Sequence, residues 1–162
     1  MIILFLDIDG VLNSDRWDQA KKPINADFFE SQFDPKAVAL LNELVAKIDA
    51  QIVLTSSWRL NFELERMNAL FHKVGIKRAL VSYTPNLHAG QGYLTRGNEI
   101  LQWILDNEAI IQTKAANYTN YLILDDNADF LLSQANQFFQ TDPAVGLTPA
   151  LVEEIVTRYS QY

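Results

Sequence analysis

Cysteine is absent from this sequence of 162 residues, and histidine occurs only twice. Without cysteine the chain cannot form disulfides, thiolate nucleophiles or thiolate metal sites. Basic residues are also scarce, since 13 Lys and Arg stand against 20 Asp and Glu for a formal net charge of −7. Such a charge disfavours nonspecific binding to nucleic-acid phosphates, although it leaves room for a local basic pocket.

Long apolar runs are lacking as well. No run approaches the ~20 residues that a membrane-spanning helix needs. The apolar opening at 1–6 lacks a basic flank and is too short for the core of a secretion signal. We therefore expect a cytoplasmic protein that has no membrane partner.

Hydrophobic residues make up 49% of the chain, which is enough for the core of one compact domain over residues 1–162. Short apolar runs that predict strands alternate with longer segments of helical periodicity. The predicted strands cover residues 2–6, 51–54, 79–83, 121–124 and 137–140. The predicted helices cover residues 35–48, 62–74, 97–107, 128–134 and 149–159. This alternation is typical of an α/β fold, in which a three-layer, Rossmann-like parallel sheet carries helices on both faces.

Polar residues follow three of the predicted strands at the point where each strand ends. They are Asp7, Asp9 and Gly10 after the first strand, Thr55, Ser56 and Ser57 after the second, and Asp125, Asp126 and Asp129 after the fourth. Ligands of open parallel sheets bind beyond the carboxyl ends of the strands, so we expect these clusters to meet. Converging carboxylates repel one another, and a hard divalent cation offsets that repulsion. Oxygen ligands without Cys or His favour Mg²⁺ as that cation.

Asp7 and Asp9 carry the expected chemistry. An ionised Asp7 can attack phosphorus as a nucleophile and form an aspartyl-phosphate. Asp9, two residues later, can protonate the leaving oxygen and then deprotonate the water that releases phosphate. Gly10 lets the backbone turn and approach the phosphate closely.

Three segments resemble sequence motifs of the haloacid dehalogenase-like (HAD) hydrolases. Residues 4–13 (Leu-Phe-Leu-Asp-Ile-Asp-Gly-Val-Leu-Asn) resemble the first motif, residues 52–57 the second, and residues 122–126 the acidic fourth. The resemblance covers roughly residues 1–130 and implies a HAD-like fold and a Mg²⁺-dependent phosphohydrolase. Asp9 bears on the reaction class, because relatives that cleave carbon–halogen bonds lack this second Asp.

The resemblance also implies a role for each matching residue. Asp7 would be the nucleophile and a metal ligand, and Asp9 the acid/base that also offers its backbone carbonyl to the metal. Thr55 would hydrogen-bond the phosphate, with help from the Ser56 amide. Asp126 would bind the metal directly.

The remaining implied roles involve four charged residues. Asp125 would bind the metal through water or share it, and Asp129 would support the pair. The third motif of the family is a single Lys or Arg that neutralises phosphate charge. Arg96 stands at the expected place, just before a predicted helix, while Lys77 and Arg78 compete with it from a position before the third strand.

The spacing between motifs leaves no room for a full cap domain. Residues 14–34 are enough for a flap or small cap insertion, and the loop at 84–95 is shorter. An open site suits a large phosphorylated substrate, such as a nucleic-acid end or a phosphoprotein. Residues 138–148 also resemble capless relatives, including domains associated with nucleic-acid repair.

Other interpretations of the same residues stay open. The chain could be a phosphorylatable receiver-like signalling domain, a binding domain without turnover, or a phosphotransferase. Residues 55–57 and 125–126 could cap helices, and Arg59 could be a surface charge or lie at a helix start. Trp58 and Trp103 are typical of a core rather than of a binding surface.

Overall fold

The computed structural model describes residues 2–20, 28–87, 94–107 and 120–159 of the chain. Five parallel strands form one sheet in the order β3-β2-β1-β4-β5. They are β1 (Ile2–Leu6), β2 (Ala50–Leu54), β3 (Leu80–Tyr83), β4 (Tyr121–Asp125) and β5 (Phe138–Gln140). The predicted parallel α/β fold is therefore confirmed, and each predicted strand agrees with an observed one to within a residue at either end.

Helices precede or follow the strands as the periodicity predicts. They are α1 (Asp15–Ala20), α2 (Pro35–Ile48), α3 (Leu64–Lys73), α4 (Arg96–Asp106) and α5 (Pro149–Tyr159). Short 3₁₀ turns cover Glu30–Gln32, Ser57–Leu60 and Leu132–Gln137. The helix predicted at 128–134 overlaps the last of these turns only at residues 132–134, and residues 128–131 are not helical. The short α1 was not predicted, because its polar sequence has no apolar periodicity.

Alternation along β1 explains the three layers. Ile3 and Phe5 point to one face of the sheet, where Phe5 meets Trp103 of α4 edge-on at 5.3 Å. Leu4 and Leu6 point to the other face and join the larger core cluster that contains α2, α3 and α5. A strand covered on both faces needs apolar residues at every position, which is why this run is continuous.

The ends of α2 show local control by sequence. The Asp34 carboxylate accepts the Lys36 N–H at 2.8 Å as an N-cap, and Pro35 occupies the first helical position. The helix stops at Asp49, whose left-handed backbone (φ 48°) turns the chain directly into β2.

The order of the strands positions the candidate site. The chain steps from β1 outward to β3 and then returns to β4 on the other side of β1, so the direction of winding reverses between β1 and β4. Such a reversal opens a crevice at the carboxyl ends of the strands. Asp7 donates its N–H to Leu124 O at 3.0 Å, and Thr55 donates its N–H to Leu6 O at 2.9 Å. The residues after β1, β2 and β4 therefore lie side by side.

Two predictions concern segments that are only partly described. Residues 21–27 of the flap predicted at 14–34, and residues 88–93 of the loop predicted at 84–95, lie outside the described residues. The flap and the single domain over 1–162 stay predictions. Among the described helices, none has the length and apolar character that a membrane crossing requires.

Candidate active site

Asp7 lies at the centre of the site. The residue is 4% exposed and follows the last residue of β1. One carboxylate oxygen accepts the Ile8 N–H at 2.8 Å, and the other accepts a guanidinium N–H of Arg96 at 2.7 Å. The side chain is thus fixed by two donors.

Asp7, Asp125 and Asp126 form a carboxylate cluster. Each offers an oxygen, and these oxygens lie within 4.8 Å of one another. Asp125 ends β4 and is fully buried, whereas Asp126 follows in the loop and is half-buried. Arg96, the first residue of α4, donates to both Asp7 and Asp125. A cation therefore already stands between two of the three carboxylates.

Repulsion within this cluster is visible in its acid–base properties. Burial, followed by the charge of Asp7, raises the pKa of Asp125 to about 7. The same two causes raise the pKa of Asp126 above its usual value. Burial lowers the pKa of Arg96, but the charges of Asp7 and Asp125 more than offset it, so the net shift is upward. The single positive charge of Arg96 does not balance the three carboxylates, so the cluster keeps an excess of negative charge.

The donor set of the cluster fits Mg²⁺. Its three carboxylates are hard oxygen ligands at short mutual distance, and the raised pKa values of Asp125 and Asp126 mean that added positive charge stabilises their ionised forms. Asp7, Asp125 and Asp126 are the side chains that would hold the ion. The Asp9 carbonyl as a further ligand stays a prediction.

Gly10 allows the close packing of the first and fourth motifs. Its φ of 70° lies in the left-handed region, and a Cβ at this position would approach Cγ of Asp126 to 2.5 Å and Cβ of Asp126 to 2.6 Å. The Gly10 carbonyl also accepts the buried Thr141 hydroxyl at 2.8 Å. Only glycine gives both the backbone turn and the space for Asp126.

Asp9 sits at the rim of the site and is exposed. The Asn13 side-chain amide donates to one of its carboxylate oxygens at 2.9 Å, and the Trp58 indole donates to the other at 3.1 Å. The Asn13 amide oxygen in turn accepts the Gly10 N–H at 2.9 Å. Asp7 and Asp9 both lie in the segment that follows β1.

Thr55 and Ser56 lie at the end of β2 and are both fully buried. The Ser56 hydroxyl accepts the Trp58 N–H at 3.5 Å and caps the 3₁₀ turn, as the helix-cap interpretation anticipates. Within the described part of the chain, Thr55 Oγ1 is the one buried side-chain nitrogen or oxygen that has no hydrogen-bond partner. Buried polar atoms are usually satisfied, so an unpaired hydroxyl in a polar site indicates a group that binds a ligand.

Arg59 is not a surface charge, and this correction matters for the site. Its side chain is 5% exposed and pairs with the equally buried Glu99 of α4 at 2.6 Å. The guanidinium group also donates to the carbonyls of Thr55 and Ser56, and to Thr84 O at 3.1 Å. Arg59 therefore ties the loop after β2 to the loop after β3 and to α4. Its position four residues after Thr55 gave no signal that a buried partner exists on α4.

The competing basic residues lie at the amino-terminal ends of the strands, opposite the carboxyl ends that carry the site. Lys77 and Arg78 precede β3, and Arg78 pairs with Asp49, which precedes β2, at 3.0 Å. Arg96 is the candidate whose guanidinium group reaches Asp7. Its backbone N–H donates to the Asp129 carboxylate at 3.2 Å. The support of Asp125 and Asp126 by Asp129 stays a prediction.

Trp58 belongs to both the core and the site. It is half-buried against the larger core cluster, yet its indole N–H reaches Asp9. Trp103 is a core residue, as expected, and is 5% exposed. His72 lies in the last turn of α3, and His88 is outside the described residues.

Comparison with known proteins yields one family. The family model described as "HAD domain in Swiss Army Knife RNA repair proteins" matches residues 3–152. The chain belongs to this HAD family. No curated protein and no solved structure matches it significantly. The resemblance on the first, second and fourth motifs is thereby confirmed, and membership of the HAD family supports a hydrolase of phosphatase type, a class that generally uses Mg²⁺.

Proposed function

We propose that this HAD domain is a Mg²⁺-dependent phosphomonoester hydrolase that works through an aspartyl-phosphate on Asp7. One observation carries the proposal: a buried Asp7 lies close to two further carboxylates and the Arg96 guanidinium, and the buried hydroxyl of Thr55, which follows the neighbouring strand, has no partner. This set combines a nucleophile, oxygen ligands for a cation and donors for a phosphate. When bound, Mg²⁺ supplies electrostatic stabilisation of the charge on the transferring phosphoryl group.

The residues of the chain divide the reaction into two displacements. A carboxylate oxygen of Asp7 forms the bond to phosphorus while the ester P–O bond breaks, and the proton of Asp9 goes to the leaving oxygen. Asp9 then takes a proton from water as that water attacks phosphorus. The second step frees the Asp7 carboxylate and inorganic phosphate. The Asn13 and Trp58 donors support this role because they orient both oxygens of Asp9.

Thr55 and Arg96 hold the phosphoryl group in this proposal. The Thr55 hydroxyl would donate to a phosphate oxygen, with the Ser56 amide beside it, and Arg96 would offset phosphate charge. The Arg59–Glu99 pair supports their geometry, since Arg59 is hydrogen-bonded to the Thr55 and Ser56 carbonyls and Glu99 lies three residues after Arg96.

The family description bears on the substrate class. The description names RNA repair proteins, which favours a phosphorylated nucleic-acid end over a phosphoprotein. The net charge of −7 disfavours nonspecific binding along a strand. We infer that the enzyme recognises one phosphorylated nucleic-acid terminus rather than a long stretch of the nucleic-acid backbone.

A rapid acid quench tests the covalent step. Wild-type protein mixed with radiolabelled phosphomonoester and Mg²⁺ should retain label on a hydroxylamine-sensitive carboxyl group within the first turnover. A label that persists for many minutes would instead support a receiver-like domain. A free alcohol that accelerates turnover and captures the label would support a phosphotransferase. No label, together with normal phosphate release, would contradict the aspartyl-phosphate.

A further inference from the structure

A cavity opens beside Trp58. It has a volume of about 440 Å³ and is lined by Phe29, Ser57, Trp58, Asn61, Phe62 and Arg66. We call these six residues the aromatic pocket. Its volume lies in the ~300–1,000 Å³ range of small-molecule sites. None of its residues except Trp58 has a place in the mechanism above.

The aromatic pocket adjoins the proposed acid. Trp58 forms part of its wall, and the indole N–H of the same residue donates to Asp9 at 3.1 Å. In the proposed reaction Asp9 contacts the leaving oxygen of the substrate. The group attached to that oxygen would therefore lie close to Trp58 and to the aromatic pocket.

Three aromatic rings contribute to the walls of the pocket. The Trp58 and Phe62 rings are nearly parallel with centroids 6.0 Å apart, and Phe29 meets both rings edge-on at 5.9 and 4.9 Å. The Arg66 guanidinium lies 5.1 Å from the Phe62 centroid. Flat rings and a guanidinium plane are the surfaces on which bases stack.

The rim of the pocket is polar. Ser57, Asn61 and Arg66 are exposed and bring a hydroxyl, an amide and a guanidinium to the opening. A side-chain amide can both donate to and accept from the hydrogen-bonding edge of a heterocycle. This combination suits a nucleobase better than the hydrocarbon side chain of a peptide.

We propose that the aromatic pocket binds the nucleobase of the nucleotide whose phosphate is hydrolysed. The inference rests on the proposed function, because it places the leaving group beside Asp9. Stacking on uncharged rings also agrees with the acidic chain, which gains little from contacts to successive phosphates. In this proposal the protein recognises a single terminal base.

Phosphorylated substrates with and without the base test the proposal. We would measure kcat/KM in Mg²⁺ for the 5′- and 3′-monophosphates of adenosine and for ribose 5-phosphate. Wild-type protein should prefer one adenosine phosphate over ribose phosphate by about tenfold or more. Arg66→Gln should lower that preference severalfold. Arg158→Gln is the matched control, because the Arg158 guanidinium also lies 5.1 Å from a Phe ring, that of Phe139, but does not line the aromatic pocket; this variant should keep the wild-type preference.

Equal kcat/KM with and without the base would overturn the inference while leaving the phosphatase proposal intact. Preference for a phosphotyrosine peptide over both adenosine phosphates would also overturn it.

Absence of turnover on every substrate would contradict the proposed function instead, and a measurement of adenosine binding would then test the pocket separately. Adenosine should quench tryptophan fluorescence in wild type and bind severalfold more weakly to Arg66→Gln; no quenching at millimolar adenosine would refute the pocket. A 5′- or 3′-phosphorylated oligonucleotide that outperforms the mononucleotide would identify a strand end as the source of the base.

Discussion

Thr55→Val is expected to make the protein more stable and, at the same time, a weaker binder of phosphate. Valine has nearly the shape of threonine, so the change removes the hydroxyl without opening a cavity. Thr55 is fully buried and its Oγ1 has no partner, so the wild-type protein carries the cost of an unsatisfied polar atom. That cost is about 1–3 kcal/mol, and Thr55→Val should raise the free energy of unfolding by a comparable amount.

The functional effect should have the opposite sign. A hydrogen bond to a charged phosphate contributes about 1.5–3 kcal/mol. Its loss should raise the inhibition constant of inorganic phosphate about 10- to 100-fold. Urea unfolding monitored by circular dichroism gives the first quantity, and phosphate inhibition of Mg²⁺-dependent hydrolysis gives the second.

Thr84→Val is the matched control for this experiment. Thr84 is also buried, at the end of β3, but its hydroxyl donates to Leu54 O at 3.5 Å. Its replacement should lower stability by up to about 1 kcal/mol and leave phosphate inhibition unchanged. The reasoning is refuted if Thr55→Val is less stable than wild type while phosphate inhibition stays the same, since the hydroxyl would then serve the fold.

Three further predictions concern glycine, a buried ion pair and the metal. Gly10→Ala and Gly75→Ala should each lose about 1–2 kcal/mol of unfolding free energy, because both positions have positive φ; only Gly10→Ala, whose Cβ collides with Asp126, should also lose about tenfold or more in Mg²⁺-dependent turnover. Glu99→Ala should lower the free energy of unfolding by about 3–5 kcal/mol in urea titrations, because it leaves the Arg59 charge buried without its partner. Magnesium at about 100 times its dissociation constant should raise the free energy of unfolding by about 2.7 kcal/mol, and Asp126→Asn should remove most of that gain.

Each of these predictions has a clear contrary outcome. Gly75→Ala is the control, because the nearest atom to a Cβ at Gly75 is 4.0 Å away. Full turnover in Gly10→Ala would contradict the close approach of Gly10 to Asp126. Glu43→Ala breaks the exposed Lys47–Glu43 pair and should lower the free energy of unfolding by less than about 1 kcal/mol. An equally small loss in Glu99→Ala would show that the buried pair does not stabilise the fold. Equal stabilisation of wild type and Asp126→Asn by magnesium would locate the ion elsewhere.

The sheet was predictable because its determinants are local. Runs such as Ile2–Leu6 are apolar at every position, which indicates a strand covered on both faces. Asp34 and Pro35 mark the start of α2 as its N-cap and first helical residue. The convergence of Asp7, Thr55 and Asp125 followed from the geometry of parallel strands, whose carboxyl ends share one edge. The position of Arg96 at the start of α4 could likewise be predicted from the order of the motifs.

The features that sequence reasoning missed are long-range pairings. Arg59 lies beside exposed residues in the chain, and its burial depends on Glu99, forty positions later. The contact of Trp58 with Asp9 also joins residues that are far apart in sequence, so the tryptophan resembled an ordinary core residue. Pattern analysis reports which face of an element is buried, but it does not report which charged residues meet across elements.

The most direct test of the account is release of inorganic phosphate from a simple aryl phosphate, measured with Mg²⁺ and with chelator for wild type and Asp7→Asn. Asp49→Asn serves as the control, because Asp49 is an exposed carboxylate before β2 whose left-handed backbone tolerates asparagine. The account predicts Mg²⁺-dependent turnover in wild type and Asp49→Asn, and its loss in Asp7→Asn. Undiminished turnover in Asp7→Asn would contradict the central claim that Asp7 is the nucleophile.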